Sequence, residues 1–191
     1  MKRVGILALQ GDFERHQKSV ESAGGAVFLV RKQEDLVGLD GLIIPGGEST
    51  TMLKLLDDEN LFDSVRAFGR VLPVFGTCAG AILMATEVLN PHQKSLGLMD
   101  LTVERNAYGR QVDSHITHIT PDATFADGGA GDFECVFIRA PIIRRAGNGT
   151  KVLAVADGFP VLVEQGRHLA ATYHPELTPD LRVHKRFLSK L

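Results

Sequence analysis

Through the first half of the chain, short unbroken apolar runs alternate with stretches whose apolar positions recur every three or four residues. Residues 4–9 (VGILAL) form the first run, as a strand buried on both faces requires. Asp12 is placed to cap a following helix, with Phe13, Gln17, Val20 and Ala23 on one stripe and Gly24-Gly25 at its end. Residues 26–30 read as a second strand, and residues 41–44 as a third that Pro45 stops. Helices follow from Ser49 or Thr50 to Leu56 and from about Asn60 to Phe68. A short strand over residues 73–75 and a helix over residues 79–86 complete this half. The βαβα alternation predicts an α/β fold with a mostly parallel central sheet flanked by helices. Right-handed crossovers then line the C-terminal strand ends along one edge, where open sheets bind ligands.

The second half changes period. Residues 101–104, 112–119, 134–138, 152–156, 161–164 and 169–173 read as strands, with turns at residues 157–160 and 165–167. These are expected as antiparallel additions to the parallel core. Residues 121–132, rich in Gly and Asp, read as a mobile loop, and residues 179–191 as an amphipathic helix. No repeat or linker divides the chain, so residues 1–191 are expected to form a single domain.

Composition narrows the class. With 191 residues, 44% hydrophobic and 23% charged, the chain has enough apolar material for a sizeable core. A net charge of -2 without a basic stripe argues against nucleic-acid binding. No apolar run approaches the roughly 20 residues that span a bilayer, so no membrane segment is expected. The N-terminal apolar run is short and lacks a cleavage pattern, so it reads as a strand and not as a signal peptide. The two cysteines, Cys78 and Cys135, form neither a CxxC pair nor a metal-ligand spacing. No metal or cofactor is expected, and free thiols fit a cytoplasmic, reducing compartment.

Candidate chemistry concentrates at Gly76-Thr77-Cys78-Ala79-Gly80. This G-x-C-x-G follows a strand and precedes a helix, the context of a nucleophile elbow with Cys in place of Ser. An isolated cysteine reads first as a small buried hydrophobe. Here the strand, the glycine frame and the helix together outweigh that reading. The N–H of Ala79, next after the nucleophile, is placed to donate to an oxyanion. Cys135 lies in a strand pattern without flanking glycines and reads as core.

Seven histidines are candidate bases. His174 stands at the end of an apolar strand, in Tyr173-His174-Pro175-Glu176, with Glu176 two residues on and able to fix its tautomer. His16 and His184 fall on helix patterns, His115 and His118 on an alternating strand, and His92 and His168 in turns; all read as surface or satisfied histidines. Pro45 to Thr50 (PGGEST) follows a strand and opens a helix. Its Gly-Gly pair frees backbone N–H groups for a second oxyanion donor. It lacks the lysine of a phosphate-binding loop.

Together the elbow cysteine, the Gly-Gly loop and His-x-Glu resemble the class I, triad-type glutamine amidotransferases, which have a flavodoxin-like sheet. Longer strings are similar to one branch, the glutaminase subunits of pyridoxal 5′-phosphate synthases: residues 9–12 (LQGD), 45–51 (PGGESTT), 76–80 (GTCAG), 104–111 (ERNAYGRQ), 137–141 (FIRAP) and 174–176 (HPE). Tyr108 stands where that branch has Phe. The resemblance implies Cys78 as nucleophile, His174 as acid and base, and Glu176 as its orienter. It places Gly46, Gly47, Glu48, Arg105, Ile138 and Arg139 at the glutamine site, Gly47 and Ala79 in the oxyanion hole, and Gln10 beside that hole and the partner contact. It implies a hetero-oligomeric complex with a synthase that accepts the ammonia and builds pyridoxal 5′-phosphate. Two alternatives are the same chemistry feeding a purine, histidine or tryptophan pathway synthase, and a non-enzymatic module on this fold.

Overall fold

The computed structural model describes residues 1–106, 114–123, 125 and 131–191. Its largest sheet uses β1 (Arg3–Leu7), β2 (Ala26–Val30), β3 (Gly41–Ile44), β4 (Val74–Thr77), β10 (Thr150–Ala156), β11 (Phe159–Gln165) and β12 (His168–Ala171). The order is β10-β11-β12-β4-β3-β1-β2. From β12 to β2 every pairing is parallel, while β10 and β11 join antiparallel at one edge. The α/β architecture expected from the alternation is the one observed.

Helices cover both faces because consecutive strand residues point opposite ways. Leu42 and Ile44 of β3 pack on one side with α2 (Ser49–Asp58), α3 (Phe62–Val71) and α4 (Ala79–Met84), through Met52, Leu56, Val65 and Leu83. Ile43 packs on the other with α1 (Phe13–Ser22) and α5 (Arg182–Leu188), through Val20, Val183 and Phe187. A hairpin of β7 (Ser114–Ile119) and β8 (Phe133–Ile138) covers that second side, burying Ile119, Phe133, Cys135 and Phe137. A three-stranded sheet of β5 (Ala85–Leu89), β6 (Met99–Glu104) and β9 (Ile142–Ala146) closes the first.

Several expectations need correction. The helix expected over residues 79–86 is shorter, and α4 stops at Met84. The incoming chain takes the carbonyls of Leu83 and Met84 with the N–H groups of Leu96 and Leu98, and Ala85 turns extended to pair with Met99. β9 lacked a distinct signal; its Ile142 and Ile143 are buried against β6. β12 is no antiparallel appendage only: it inserts beside β4 in parallel, and extends the core sheet. The 157–160 turn is tighter than expected. Asp157 and Gly158, both at positive φ (50° and 79°), make a two-residue loop of the kind that matches strand twist, and Phe159 and Pro160 already pair with β10. Pro160 is tolerated because β12 ends opposite Leu162 and leaves no ladder partner on that side. His168 lies in β12, not in a turn, and its Nδ1 accepts from the Val74 N–H at 3.2 Å. Asp12 stands at the N-cap of α1 without a side-chain capping bond. Parts of the expected strand over 112–119, the loop over 121–132 and the 104–111 motif, Tyr108 included, lie outside the described residues.

Candidate active site

The C-terminal ends of β1, β3, β4 and β12 bring the predicted residues to one edge of the sheet. Cys78 sits between β4 and α4 at φ 48° and ψ −104°, a conformation L-residues seldom adopt. Its N–H donates to Ala171 O of the neighbouring β12 at 2.8 Å, and its carbonyl accepts from Ile82 N at 3.2 Å. The glycine frame is steric. A Cβ on Gly76 would stand 2.5 Å from the Gly80 carbonyl carbon, and one on Gly80 would stand 2.0 Å from Ile44 O. Both residues are therefore required for the sharp bend.

His174 follows β12 and is fixed by its own N–H, which donates to Val136 O of β8 at 2.9 Å. Its Nδ1 lies 2.7 Å from Glu176 Oε1, and both side chains are buried. The ring and Cys78 border one space: a Cβ on Gly46 would meet His174 Cε1 at 2.4 Å and Cys78 Cβ at 3.4 Å. Burial works against charge on His174, but hydrogen bonds with Cys78 and Glu176 outweigh it and raise the imidazole to about 10. Burial also pushes Glu176 upward, yet the neighbouring His16 and His174 prevail and hold it below the usual range. The pair is thus arranged as an imidazolium beside a carboxylate.

The cleft over Cys78 is lined by Gly47, Glu48, Ser49, Ile82, Arg105, Asn106, Ile138, Arg139 and Pro141. Arg105 is buried, with Nη2 3.5 Å from Glu48 Oε1 and Nη1 without a hydrogen-bond partner among the described residues. A buried guanidinium with a spare edge suits a carboxylate ligand. Arg139 borders the same cleft at positive φ (45°). Ile138 O lies 3.9 Å from Cys78 Sγ as its acceptor.

Glu48 does a second job that its loop position did not announce. Its carboxylate caps α2, accepting from Thr50 N at 3.1 Å and Thr51 N at 2.7 Å. Partial burial pushes this carboxyl up, but the Thr50 and Thr51 hydrogen bonds overcome that and bring it down to about 2. Gln10 clamps the loop: its Nε2 donates to Glu48 O at 3.2 Å and its Oε1 accepts from Glu48 N at 3.4 Å. Gly47, at φ 146°, leaves room for that amide, since a Cβ there would lie 2.4 Å from Gln10 Nε2. Ala79 is the first residue of α4, so its N–H has no partner within the helix.

Every site residue expected from the sequence borders this edge. Four further cleft residues, Ser49, Ile82, Asn106 and Pro141, carried no separate signal beyond lying in or beside the motifs. His16, read as a surface or satisfied helix residue, is fully buried beneath Glu176, with its Nε2 3.4 Å from Glu176 Oε2. Its place on the stripe between Phe13 and Val20 was the available clue. Cys135 is core as expected, and burial pushes its thiol up to about 12. Both cysteines are free. No helix among the described residues is long and apolar enough to cross a membrane.

Comparison with known proteins shows the family and the fold. The sequence pattern of the SNO glutamine amidotransferase family matches residues 6–191. A Solibacter usitatus protein named pyridoxal 5′-phosphate synthase subunit PdxT is 61% identical over the full length of both chains. A protein of the same name from Koribacter versatilis is 53% identical, over 97% of this chain and 94% of its own. A crystal structure of a glutamine amidotransferase superposes with a TM-score of 0.88 at 48% identity, covering 98% of this chain and 97% of that one.

Proposed function

We infer the function from one premise: the chain belongs to the SNO glutamine amidotransferase family. It is a glutaminase that hydrolyses L-glutamine to L-glutamate and ammonia, and residues 1–191 act as one amidotransferase domain. The observation that carries the assignment of the chemistry is Cys78, held at positive φ on the strand-to-helix bend and facing the same space as the His174 ring.

Glutamine enters the cleft with its α-carboxylate on the free edge of Arg105, flanked by Arg139 and Ile138 and seated on Gly46, Gly47 and Glu48. The Cys78 thiolate attacks the side-chain amide carbon. The N–H groups of Gly47 and Ala79 receive the oxyanion, where one donor is worth about 100- to 1,000-fold in rate. His174, oriented by Glu176, protonates the departing ammonia and leaves a γ-glutamyl thioester. The imidazole, now neutral, takes a proton from water, and the hydroxide releases glutamate. The Arg105 spare edge and the shared Cys78–His174 space favour this over a non-enzymatic module.

Ammonia released into water would be protonated and lost, so the product calls for an acceptor. The relatives' shared name, a subunit of pyridoxal 5′-phosphate synthase, points to a synthase subunit that receives the ammonia within a hetero-oligomeric complex. It favours that acceptor over purine, histidine or tryptophan pathway synthases. Gln10, which grips the Gly47–Glu48 loop, is the part of the site placed to register the partner. The complex belongs in the cytoplasm, where free thiols persist. The test is glutamate release by wild type and Cys78→Ala, each with and without the synthase subunit. Release that survives C78A would overturn the assignment.

A further inference from the structure

Helix α1 brings a histidine to the triad that the steps above do not use. The fully buried His16 has its Nε2 3.0 Å from Thr77 Oγ1, the residue before the nucleophile, and 3.4 Å from Glu176 Oε2. Its Nδ1 lies 3.0 Å from Nε2 of His184 on α5, also fully buried. Glu176 commits Oε1 to His174; its Oε2 makes no hydrogen bond among the described residues, and His16 Nε2 lies 3.4 Å from it.

The contacts select one proton arrangement. If His16 carried its proton on Nδ1, it would donate to His184 Nε2, and its bare Nε2, though able to accept from the Thr77 hydroxyl, would turn a lone pair toward the carboxylate oxygen. His184 would then have to carry its proton on Nδ1, which is buried and has no hydrogen-bond partner among the described residues. An orphaned buried donor beside a lone-pair clash is the costlier state. In the opposite tautomer, His184 Nε2–H donates to His16 Nδ1, and His16 Nε2–H donates toward Glu176 Oε2 and Thr77 Oγ1. Among the described residues, that leaves only an acceptor nitrogen, His184 Nδ1, without a partner.

We propose that His16 is a positioning residue for glutamine hydrolysis: its Nε2–H holds Glu176 Oε2, and His184 selects that tautomer. The inference rests on the Cys78–His174–Glu176 reading. His16 thereby ties three elements, α1, β4 and the turn after His174, to one carboxylate, and keeps that buried carboxylate ionised and aimed at His174. Burial, the largest influence, lowers the pKa of His16 and takes His184 down to about 3, so both rings stay neutral and each supplies one donor. The charged and titratable groups facing His16 are Glu176, His174, His184 and Asp12, with the Phe75 ring edge-on to it.

The experiment uses the full chain in complex with its synthase subunit for kinetics, and the full chain alone for imidazole nitrogen NMR. His16→Leu, which fills the space without a donor, lowers kcat at least tenfold, with the KM for glutamine changed less than twofold. It also moves the acid limb of kcat/KM to higher pH, because Glu176 loses a group that keeps it ionised. His16→Gln, whose amide nitrogen reaches the Nε2 position, restores activity to within about threefold of wild type. In wild-type NMR, His16 is protonated on Nε2 and bare on Nδ1. Overturning results are a proton on Nδ1, a folded H16L with wild-type kcat and pH profile, or a folded H16Q as inactive as H16L. Should H16L fail to fold, H16Q and the tautomer decide. The two readings fail separately: a Cys78-dependent wild type with an indifferent His16 removes only this inference, whereas a wild type whose glutamate release survives C78A removes the triad itself.

Discussion

At the scale of single residues, close approach explains most of the site. Gly46 has no side chain because His174 Cε1 occupies the place where a Cβ would go. Gly46→Ala should therefore displace the imidazole, with glutaminase activity falling at least about 100-fold while the thermal midpoint shifts little, since the loss is of a geometry worth orders of magnitude in rate. Gly80→Ala should act the other way. Its Cβ would press on the Ile44 backbone, and overpacking of this kind costs about 1–3 kcal/mol, readable as a lower denaturation midpoint. The charge on His174 is also a residue-scale property. Glu176 helps raise it toward 10, so removing that carboxylate lets the imidazolium lose its proton at lower pH. In a pH profile of kcat/KM, the alkaline limb of Glu176→Gln should move down from its wild-type position. At this scale the sequence was informative where chemistry and sterics coincide, as in Gly76-x-Cys78-x-Gly80. Arg105 and Arg139 were different: an arginine suits a carboxylate, but nothing local marked these two, and only the resemblance singled them out. His16 went unrecognised because a histidine on a helix stripe looks alike whether its ring meets solvent or a buried carboxylate.

At the scale of elements, termini and turns carry the testable energetics. α2 depends on the Glu48 carboxylate for two of its free N–H groups, those of Thr50 and Thr51. Glu48→Ala should cost about 1 kcal/mol of stability, measurable by chemical denaturation, and should weaken glutamine binding by freeing Arg105. A second set of elements is held by neutral buried histidines. His168 in β12 accepts from Val74 of β4, and burial, with Arg167 nearby, lowers its pKa to about 4. The unfolded chain binds this proton near the ordinary 6.5 and the folded chain near 4, so stability falls as pH drops through that window. His168→Asn keeps an acceptor at that position without the titration. Its acid-unfolding curve should lose less stability between pH 6.5 and 4 than wild type. Element existence was legible where a period was sustained, as in β1 to α3. It failed at the start of β5, where Ala85 and Thr86, expected as the end of a helix, turn into a strand because Leu96 and Leu98 intercept the end of α4. That competition is tertiary and leaves no local mark.

At the scale of the molecule, one edge of the sheet collects the function. Gln10 comes after β1, Gly46 to Glu48 after β3, Cys78 after β4 and His174 after β12. The first three were legible, because alternating strands and helices leave few topologies. The insertion of β12 beside β4 was not, since a strand that follows a hairpin gives no sign of which neighbour it will join. Yet that insertion sets the triad. The Cys78 N–H donates to Ala171 O at the end of β12, and the chain then runs through Thr172 and Tyr173 directly to His174. If the proposed partner docks at this edge, glutamate release should rise on adding the synthase subunit, and Gln10→Ala should blunt that rise more than it lowers basal turnover. The central claim is that one thiol attacks glutamine. A glutamine analogue with an electrophilic carbon in place of the side-chain amide, followed by peptide mass mapping, tests it most directly. One label per chain is expected, on Cys78, with glutamine protecting against it. Labelling of Cys135 instead, or labelling of Cys78 that glutamine leaves unaffected, would contradict it.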